Sequence, residues 1–388
     1  MIQWFTSLFK PGLKKKTAVI VIPSLTLGGA EKQAVFYARS ILKVGVYEPV
    51  IVGLGKDGQL REILDFHHIR YETYPSVFSD SSRLVKLLEI VRFTLFLRKL
   101  KPNLIMGFTY FPNILCGLSW PFTGASYFVW NQRSVDSHIP VTIWESICMR
   151  FNPKYLANSK ACADFIAQRH NVPKSSVVII HNAIANIPEA IDKDYATVGS
   201  RPLHLLMIAN FFPEKDYATV LRALVIYREK HPEQEFVFHC VGSAPGTSPQ
   251  EMLTKALAFD LKLEHRVKFH GAVVHPHELL MQADIGILST YSEGFSNSIM
   301  EYMVYGLPVL ATSIPPNKEA LGEDYSLGYF PPNDAHKLTE MLEALMTNPS
   351  LRKELGEQNR KRVLEAHGFD KFHASRRSLF TNFERKPF

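Results

Sequence analysis

The 388-residue chain has only four cysteines, Cys116, Cys148, Cys162 and Cys240, and no two of them form a CxxC pair. No histidine stands near them at ligand spacing. Neither a disulfide framework nor structural zinc is therefore expected, and a reducing, cytoplasmic compartment is. There is no GxGxxG, which removes the dinucleotide fingerprint and disfavours a nicotinamide enzyme. No apolar run is long enough to span a bilayer. The opening MIQWFTSLFKPGLKKK does not read as a signal peptide, because its lysines follow the apolar residues and no cleavage site appears. Trp4, Phe5, Leu8 and Phe9 beside Lys10, Lys14, Lys15 and Lys16 suit either weak interfacial attachment or a disordered leader. Acidic residues are in short supply too: 37 Asp and Glu against 44 Lys and Arg give a net charge of +7. A basic excess suits nucleic acid, an anionic membrane surface or phosphate-bearing substrates. No nucleic-acid motif accompanies it, which leaves the last two.

What is present is an ordinary globular composition, 46% hydrophobic and 21% charged, on a chain long enough for two cores. Short continuous apolar runs at 17–23, 50–54, 102–106, 127–130, 204–209, 236–241 and 267–271 read as buried parallel strands. Helical patterns alternate with them, at 60–67, 82–100, 335–346 and 350–366 among others. That alternation predicts an α/β fold with doubly wound parallel sheets, whose binding residues gather at the C-terminal ends of strands. The stretch 185–202 is polar and small, and reads as an interdomain linker. The helix at 82–100 is strongly apolar yet carries Arg83, Lys86, Arg92, Arg98 and Lys99. It reads as packing on the sheet, with contact to lipid headgroups as the second reading.

Residues 283–312, ADIGILSTYSEGFSNSIMEYMVYGLPVLAT, carry the most chemistry. They predict a buried strand, a loop with Glu293 and Gly294, a short helix stopped by Gly306 and Pro308, and a second buried strand. An ionised carboxylate is costly to bury without a partner, and Glu301 lies in an apolar helix. Amides of Ser296, Asn297 and Ser298 at the helix start suit a phosphate. Two readings stand side by side: a site for a polyhydroxylated, phosphorylated ligand, or a capping box from Ser298 to Glu301 with Glu293 as an ordinary loop acid. Elsewhere, Gly28-Gly29 sits in a strand-to-helix loop where backbone can approach a ligand. Lys215 occupies another such loop, placed for a pyrophosphate as a point charge. Arg133 suits an anionic group or a plain ion pair. Asp192 and Asp194 lie in the linker, and His270, His275 and His277 lack a completing carboxylate, so no metal site is assigned.

Glu293 through Glu301, followed by Gly306-Leu307-Pro308-Val309, resembles the Glu-x7-Glu motif of the retaining glycosyltransferases of family 4, also called group 1. Gly28-Gly29-Ala30-Glu31, Ala157-Asn158-Ser159 and Ile180-His181-Asn182 are similar to further family landmarks. The resemblance implies a GT-B fold: two Rossmann-like domains with the active site in the cleft between them. Residues 1–190 would form the acceptor domain and 200–369 the nucleotide-sugar domain, with a helix at 370–388 packing back on the first. It implies catalytic roles for Glu293 and Lys215. Donor contacts would come from Gly28, Gly29, Asn210, Lys215, Gly294, Phe295, Ser296, Asn297, Ser298 and Glu301, with the last on the ribose. Acceptor contacts would come from Tyr110, Asn113 and Arg133. The sequence departs from the family pattern at Asn210, where an arginine is common, and at Phe111, where a histidine is common. The implied reaction moves a sugar from a nucleotide donor, a UDP-sugar, to a glycan or lipid-linked acceptor, with no metal and no resident cofactor. The protein would work in the cytoplasm or on the inner face of the plasma membrane, in surface polysaccharide or glycolipid synthesis. A GT-B nucleotide-sugar 2-epimerase and an inactive sugar-nucleotide-binding protein are the alternatives.

Overall fold

The computed structural model describes residues 15–375, apart from 79–81, 136–138, 185–186, 190, 192, 194, 196–200, 244–247 and 274. The aromatic-lysine leader up to residue 14, Asp192, Asp194 and the tail 376–388 lie outside the described residues.

Two separate parallel sheets form. The first contains β1 (Lys16–Ile22), β2 (Tyr47–Gly53), β3 (Arg70–Thr73), β4 (Pro102–Phe108), β5 (Tyr127–Gln132), β6 (Lys154–Ala157) and β7 (Val177–Ile179). Their spatial order is β3-β2-β1-β4-β5-β6-β7. The second contains β8 (Leu203–Ile208), β9 (Phe236–Val241), β10 (Val267–Phe269), β11 (Ile285–Leu288) and β12 (Val309–Ala311), in the order β10-β9-β8-β11-β12. Strand β1 shows why the runs are continuously apolar. Ala18, Ile20 and Ile22 enter one core while Val19 and Val21 enter another on the opposite face. A sheet covered by helices on both sides leaves no position for a polar residue. A third core fills the second domain.

In both sheets the direction of winding reverses at one place, between β1 and β4 and between β8 and β11. Ligand crevices of doubly wound sheets open at such switch points, at the carboxyl ends of the strands. Loop 23–28 and the single residue Thr109 leave the first; loops 209–216 and 289–296 leave the second. The chain returns to the first domain after the helix Pro349–His367. Ile184 N donates to His367 O at 3.1 Å. Phe369 and Phe372 then pack against Phe36 and Tyr37 of the helix Gly29–Val44, with ring centroids 5.5–6.2 Å apart. Lys43 Nζ pairs with Asp370 at 3.0 Å. The return onto the first domain is thus visible through residue 375.

Candidate active site

The second domain supplies a wall of charged and polar groups. Lys215 lies in the loop after β8 and forms an ion pair with Glu293 in the loop after β11; its Nζ also stands 3.5 Å from Thr290 Oγ1. A bridge between Lys215 and Thr290 holds the two loops side by side. The next helix runs from Asn297 to Val304, and its cap is Ser296, whose side chain accepts from Ile299 N at 3.2 Å. The capping-box reading therefore fails by two residues. Ser298 Oγ instead donates to Ile208 O at 2.5 Å, tying the helix to the end of β8. Glu301 lies in the second turn, free of any capping duty, 3.7 Å from Lys32 Nζ of the first domain. Asn210 donates no charge here: its Oδ1 accepts from Ser243 N at 3.0 Å and joins the ends of β8 and β9.

Amides cross the gap between domains. Asn297 Nδ2 donates to Gly29 O at 3.1 Å, and Asn297 Oδ1 accepts from Gln33 Nε2 at 3.1 Å and Asn182 Nδ2 at 2.8 Å. Asn182 Nδ2 also reaches Phe295 O at 3.0 Å, and its Oδ1 accepts from Arg133 at 2.5 Å. Gly29 leaves room for this approach: a Cβ there would sit 2.7 Å from Asn297 Nδ2 and displace that amide. At Gly294 a Cβ would overlap the carbonyl of Arg133. Phe295 is buried and stacks on His181 at 5.0 Å. A cavity of about 640 Å³ opens between the helices Gly29–Val44 and Asn297–Val304, lined by Lys32, Gln33, Asn297, Glu301 and His275 among others. Lys215 and Glu293 are not part of its lining; they stand beyond the start of the second helix.

The first domain's wall is different. A helix begins at Tyr110, just after β4, and runs to Ser119. Pro112 is compatible with it because the first turn needs no amide at that position. Asn113 is fully buried, its Nδ2 donating to Asn131 O and its Oδ1 accepting from Asn131 N, both at 3.1 Å. In this conformation it joins the helix to β5 and offers no atom to an acceptor. Tyr110 OH donates at 3.0 Å to Glu145, a fully buried carboxylate that Arg169 also clasps at 2.5 and 2.8 Å. Phe111, in contrast, is 48% exposed. Arg133 is buried over the ring of Phe108, 5.5 Å from its centroid. Thr109, between β4 and the helix, has φ of 67°, a strained conformation for a β-branched residue at a strand's carboxyl end.

Burial pushes the Glu31 carboxyl up to about 7, against the pull of its backbone hydrogen bond and of Arg133. The histidines flagged as poor ligands do not converge. His204, His239 and His270 form a line across β8, β9 and beyond β10, with 2.9 Å between successive nitrogens. Burial, then its two histidine neighbours, holds His239 down to about 4. His277 Nδ1 stands 2.8 Å from Tyr305 OH. Among the described residues no three His, Cys, Asp or Glu side chains are placed to share a metal ion.

Sequence reasoning missed Lys32 and Gln33 as cleft groups. The signal was available: they fall three and four residues after Gly29, on the same helical face.

A family model described as Glycosyltransferase Family 4 matches residues 27–185, and one described as Glycosyl transferases group 1 matches residues 191–362. A glycosyltransferase structure from Rickettsia africae superposes with a TM-score of 0.77, at 18% identity over 97% of this chain and 100% of that one. The Anabaena protein Alr3699/HepE, in complex with UDP and glucose, superposes with 0.79, at 16% identity over 95% of this chain and 99% of that one. By sequence, a Dictyostelium discoideum GDP-Man:Man(3)GlcNAc(2)-PP-Dol alpha-1,2-mannosyltransferase is 30% identical over 131 residues, 31% of this chain and 26% of that protein. The chain is matched to less than half the length of each of its curated relatives. The two models between them cover both domains and both walls of the cleft, and the chain belongs to the group 1, family 4 glycosyltransferases of GT-B fold.

Proposed function

We propose that the protein is a retaining hexosyltransferase that moves a sugar from a UDP-sugar to a glycan or lipid-linked acceptor. The observation that carries this reading is the sequence of groups along one wall: Glu301 beside the cavity, the start of the helix Asn297–Val304, then the Lys215–Glu293 pair. A nucleoside diphosphate sugar has the same order of chemistry. Its ribose hydroxyls would donate to Glu301, its diphosphate would meet the helix amides and Lys215, and its sugar hydroxyls would face Glu293 and Gly294. As the bond from the anomeric carbon to the diphosphate breaks, negative charge grows on the leaving oxygen. Lys215 and the helix N-terminus stand where they can stabilise it. With attack from the same face, the acceptor hydroxyl passes its proton to that leaving oxygen, and no enzyme nucleophile or metal is required. The Arg133 carbonyl lies against Gly294, and its guanidinium, bonded to Asn182, would meet an anionic group. UDP is favoured because the structurally similar HepE was captured with it. A role in surface polysaccharide or glycolipid synthesis, at the inner face of a membrane, completes the proposal.

A second reading follows from Asn210, whose side-chain oxygen is already taken by Ser243 N, leaving Lys215 as the assigned phosphate cation. A protein that binds sugar nucleotides without transferring the sugar would look similar. Calorimetric titration with UDP, GDP and ADP, followed by a UDP-release assay with lipid-phosphate and glycan acceptors, separates the two. Tight UDP binding with transfer supports the enzyme; binding with neither transfer nor hydrolysis supports the second reading. Glu301→Ala should weaken UDP binding roughly 10- to 100-fold, the range for hydrogen bonds to a charged group. Unchanged affinity in that variant rejects the ribose assignment.

A further inference from the structure

The helix Arg83–Leu100 has two apolar faces, and the fold uses one of them. Glu89, Phe93, Leu97 and Leu100 are buried against the first domain. Leu84, Leu87, Leu88, Val91 and Leu95 are 51–68% exposed. At 3.6 residues per turn these five share one stripe, on the side opposite the buried set. The charges around them have one sign. Arg92 and Lys99 flank the stripe on one side and Arg83 on the other, Arg98 stands at its C-terminal end, and all four are exposed. The helix's one acid, Glu89, is turned inward, where its carboxylate accepts from Val77 N at 3.3 Å. Soluble monomers seldom leave so continuous an apolar surface uncovered.

The surface continues from the helix to the cleft. Lys86 Nζ lies 5.4 Å over the ring of Phe78, and Phe78 packs on Trp144 at 6.2 Å. Trp144 belongs to the helix Ile143–Met149; Ile143 at its start and Val141 just before it are 64% and 53% exposed. That helix also carries Glu145, the partner of Tyr110, whose neighbour Phe111 stands exposed just past the carboxyl end of β4.

We propose that this face docks the protein on an anionic lipid bilayer. An apolar stripe with cations on both flanks needs an occupant that is negative at its surface and apolar beneath. A bilayer containing acidic headgroups presents both, in that order of depth. A lipid-linked acceptor held in the same bilayer would then be delivered to the cleft side of Phe111. That last step rests on the transferase reading above; the docking does not, because it can be measured without any sugar nucleotide.

The test is flotation of the full chain with phosphatidylcholine vesicles, with and without phosphatidylglycerol. The wild type should float with the acidic vesicles and stay behind with the neutral ones. Leu87→Ser, Leu88→Ser and Val91→Ser together should lower the partition coefficient about tenfold or more, since interfacial binding scales with buried apolar area. Arg92→Glu with Lys99→Glu should do the same at low salt, and the wild type itself should release as salt screens its charges. Met252→Ser with Phe259→Ser, at positions 69% and 68% exposed on the other domain, should float like wild type. All these positions are on the surface, and unchanged UDP affinity will show that the variants fold. Three results overturn the proposal: no flotation of the wild type, equal flotation of the triple variant, or a wild-type dimer that the triple variant dissolves without any vesicle binding. The last would make this face an interface between copies.

Discussion

The cleft's two walls use their polar side chains in different ways. On the second domain, Lys215, Glu293 and Glu301 keep 12–20% of their side chains open, and their partners are one another or Lys32 across the gap. On the first, Tyr110 and Asn113 are 7% and 0% exposed and engaged with Glu145 and Asn131 inside the domain. Both sets stand at a switch point, so topology alone does not separate ligand-binding groups from structural ones. What separates them is whether their hydrogen-bonding capacity has been used by the fold. A charge paired at the open edge of the cleft, within its own wall as Lys215 is with Glu293 or across the gap as Glu301 is with Lys32, can exchange its partner for a ligand at small cost. A buried amide bonded twice to a neighbouring strand cannot, because an orphaned buried group costs about 1–3 kcal/mol.

Lys215→Ala gives the largest expected break in that contrast. Removing one preorganised charge from a leaving group costs about 3–4 kcal/mol, or 10²–10³ in kcat. Global stability should hardly move, because the Lys215–Glu293 pair is partly solvated and such pairs contribute little to folding. Single-turnover kinetics beside a thermal melt checks both halves. A melting point several degrees lower with little change in kcat would place Lys215 with the structural residues of the other wall.

Glu31 sharpens the comparison from the first domain's side, through pH. Its folded carboxyl titrates near 7 against an ordinary 4.5, so folding favours the protonated form. Below pH 4.5 both states are protonated and the group is neutral to stability. Between 4.5 and 7 the unfolded chain ionises and the folded one resists, so stability falls as pH rises, and the loss is complete above 7. The full shift bounds the effect at about 3 kcal/mol. Denaturant unfolding of wild type and Glu31→Gln from pH 5 to 8 should show their difference changing across that window. A constant difference would mean that Glu31 is already ionised at pH 5, paired with Arg133.

The fold was largely legible because buried parallel strands have a composition that little else imitates, as β1 and β8 show. The second domain's wall was legible for a related reason. Glu301 in an apolar helix and Lys215 in a strand-to-helix loop break the local pattern, and broken patterns mark sites. The first domain hid its arrangement where local cues conflict. Phe111-Pro112-Asn113 looks like a loop until the tolerance of a helix's first turn for proline is considered. The cap at Ser296 lost to Ser298 in the sequence reading because both residues are good caps. The choice was made by the bond from Ser298 to Ile208 O, a contact 90 residues away in sequence. The exposed stripe on the helix Arg83–Leu100 was hidden by its twin: with apolar residues on both faces, spacing cannot tell which face is covered.

Tyr110→Phe carries the smallest expected effect, and it tests the assignment of the first wall most directly. The change deletes one hydroxyl and keeps the ring that lies under Arg169, whose guanidinium is 5.6 Å from its centroid. Glu145 loses one donor but keeps both bonds from Arg169, so the carboxylate remains neutralised. The loss should be about 1 kcal/mol of stability, seen as a modest fall in melting point, with kcat/KM for transfer within about twofold of wild type. An acceptor contact would give the opposite pattern. Then KM for the acceptor would rise while the melting point stayed constant, because the bond to Glu145 would have been exchanged for one to substrate during turnover. The split between stability and acceptor KM therefore decides whether Tyr110 belongs to the scaffold or to the site.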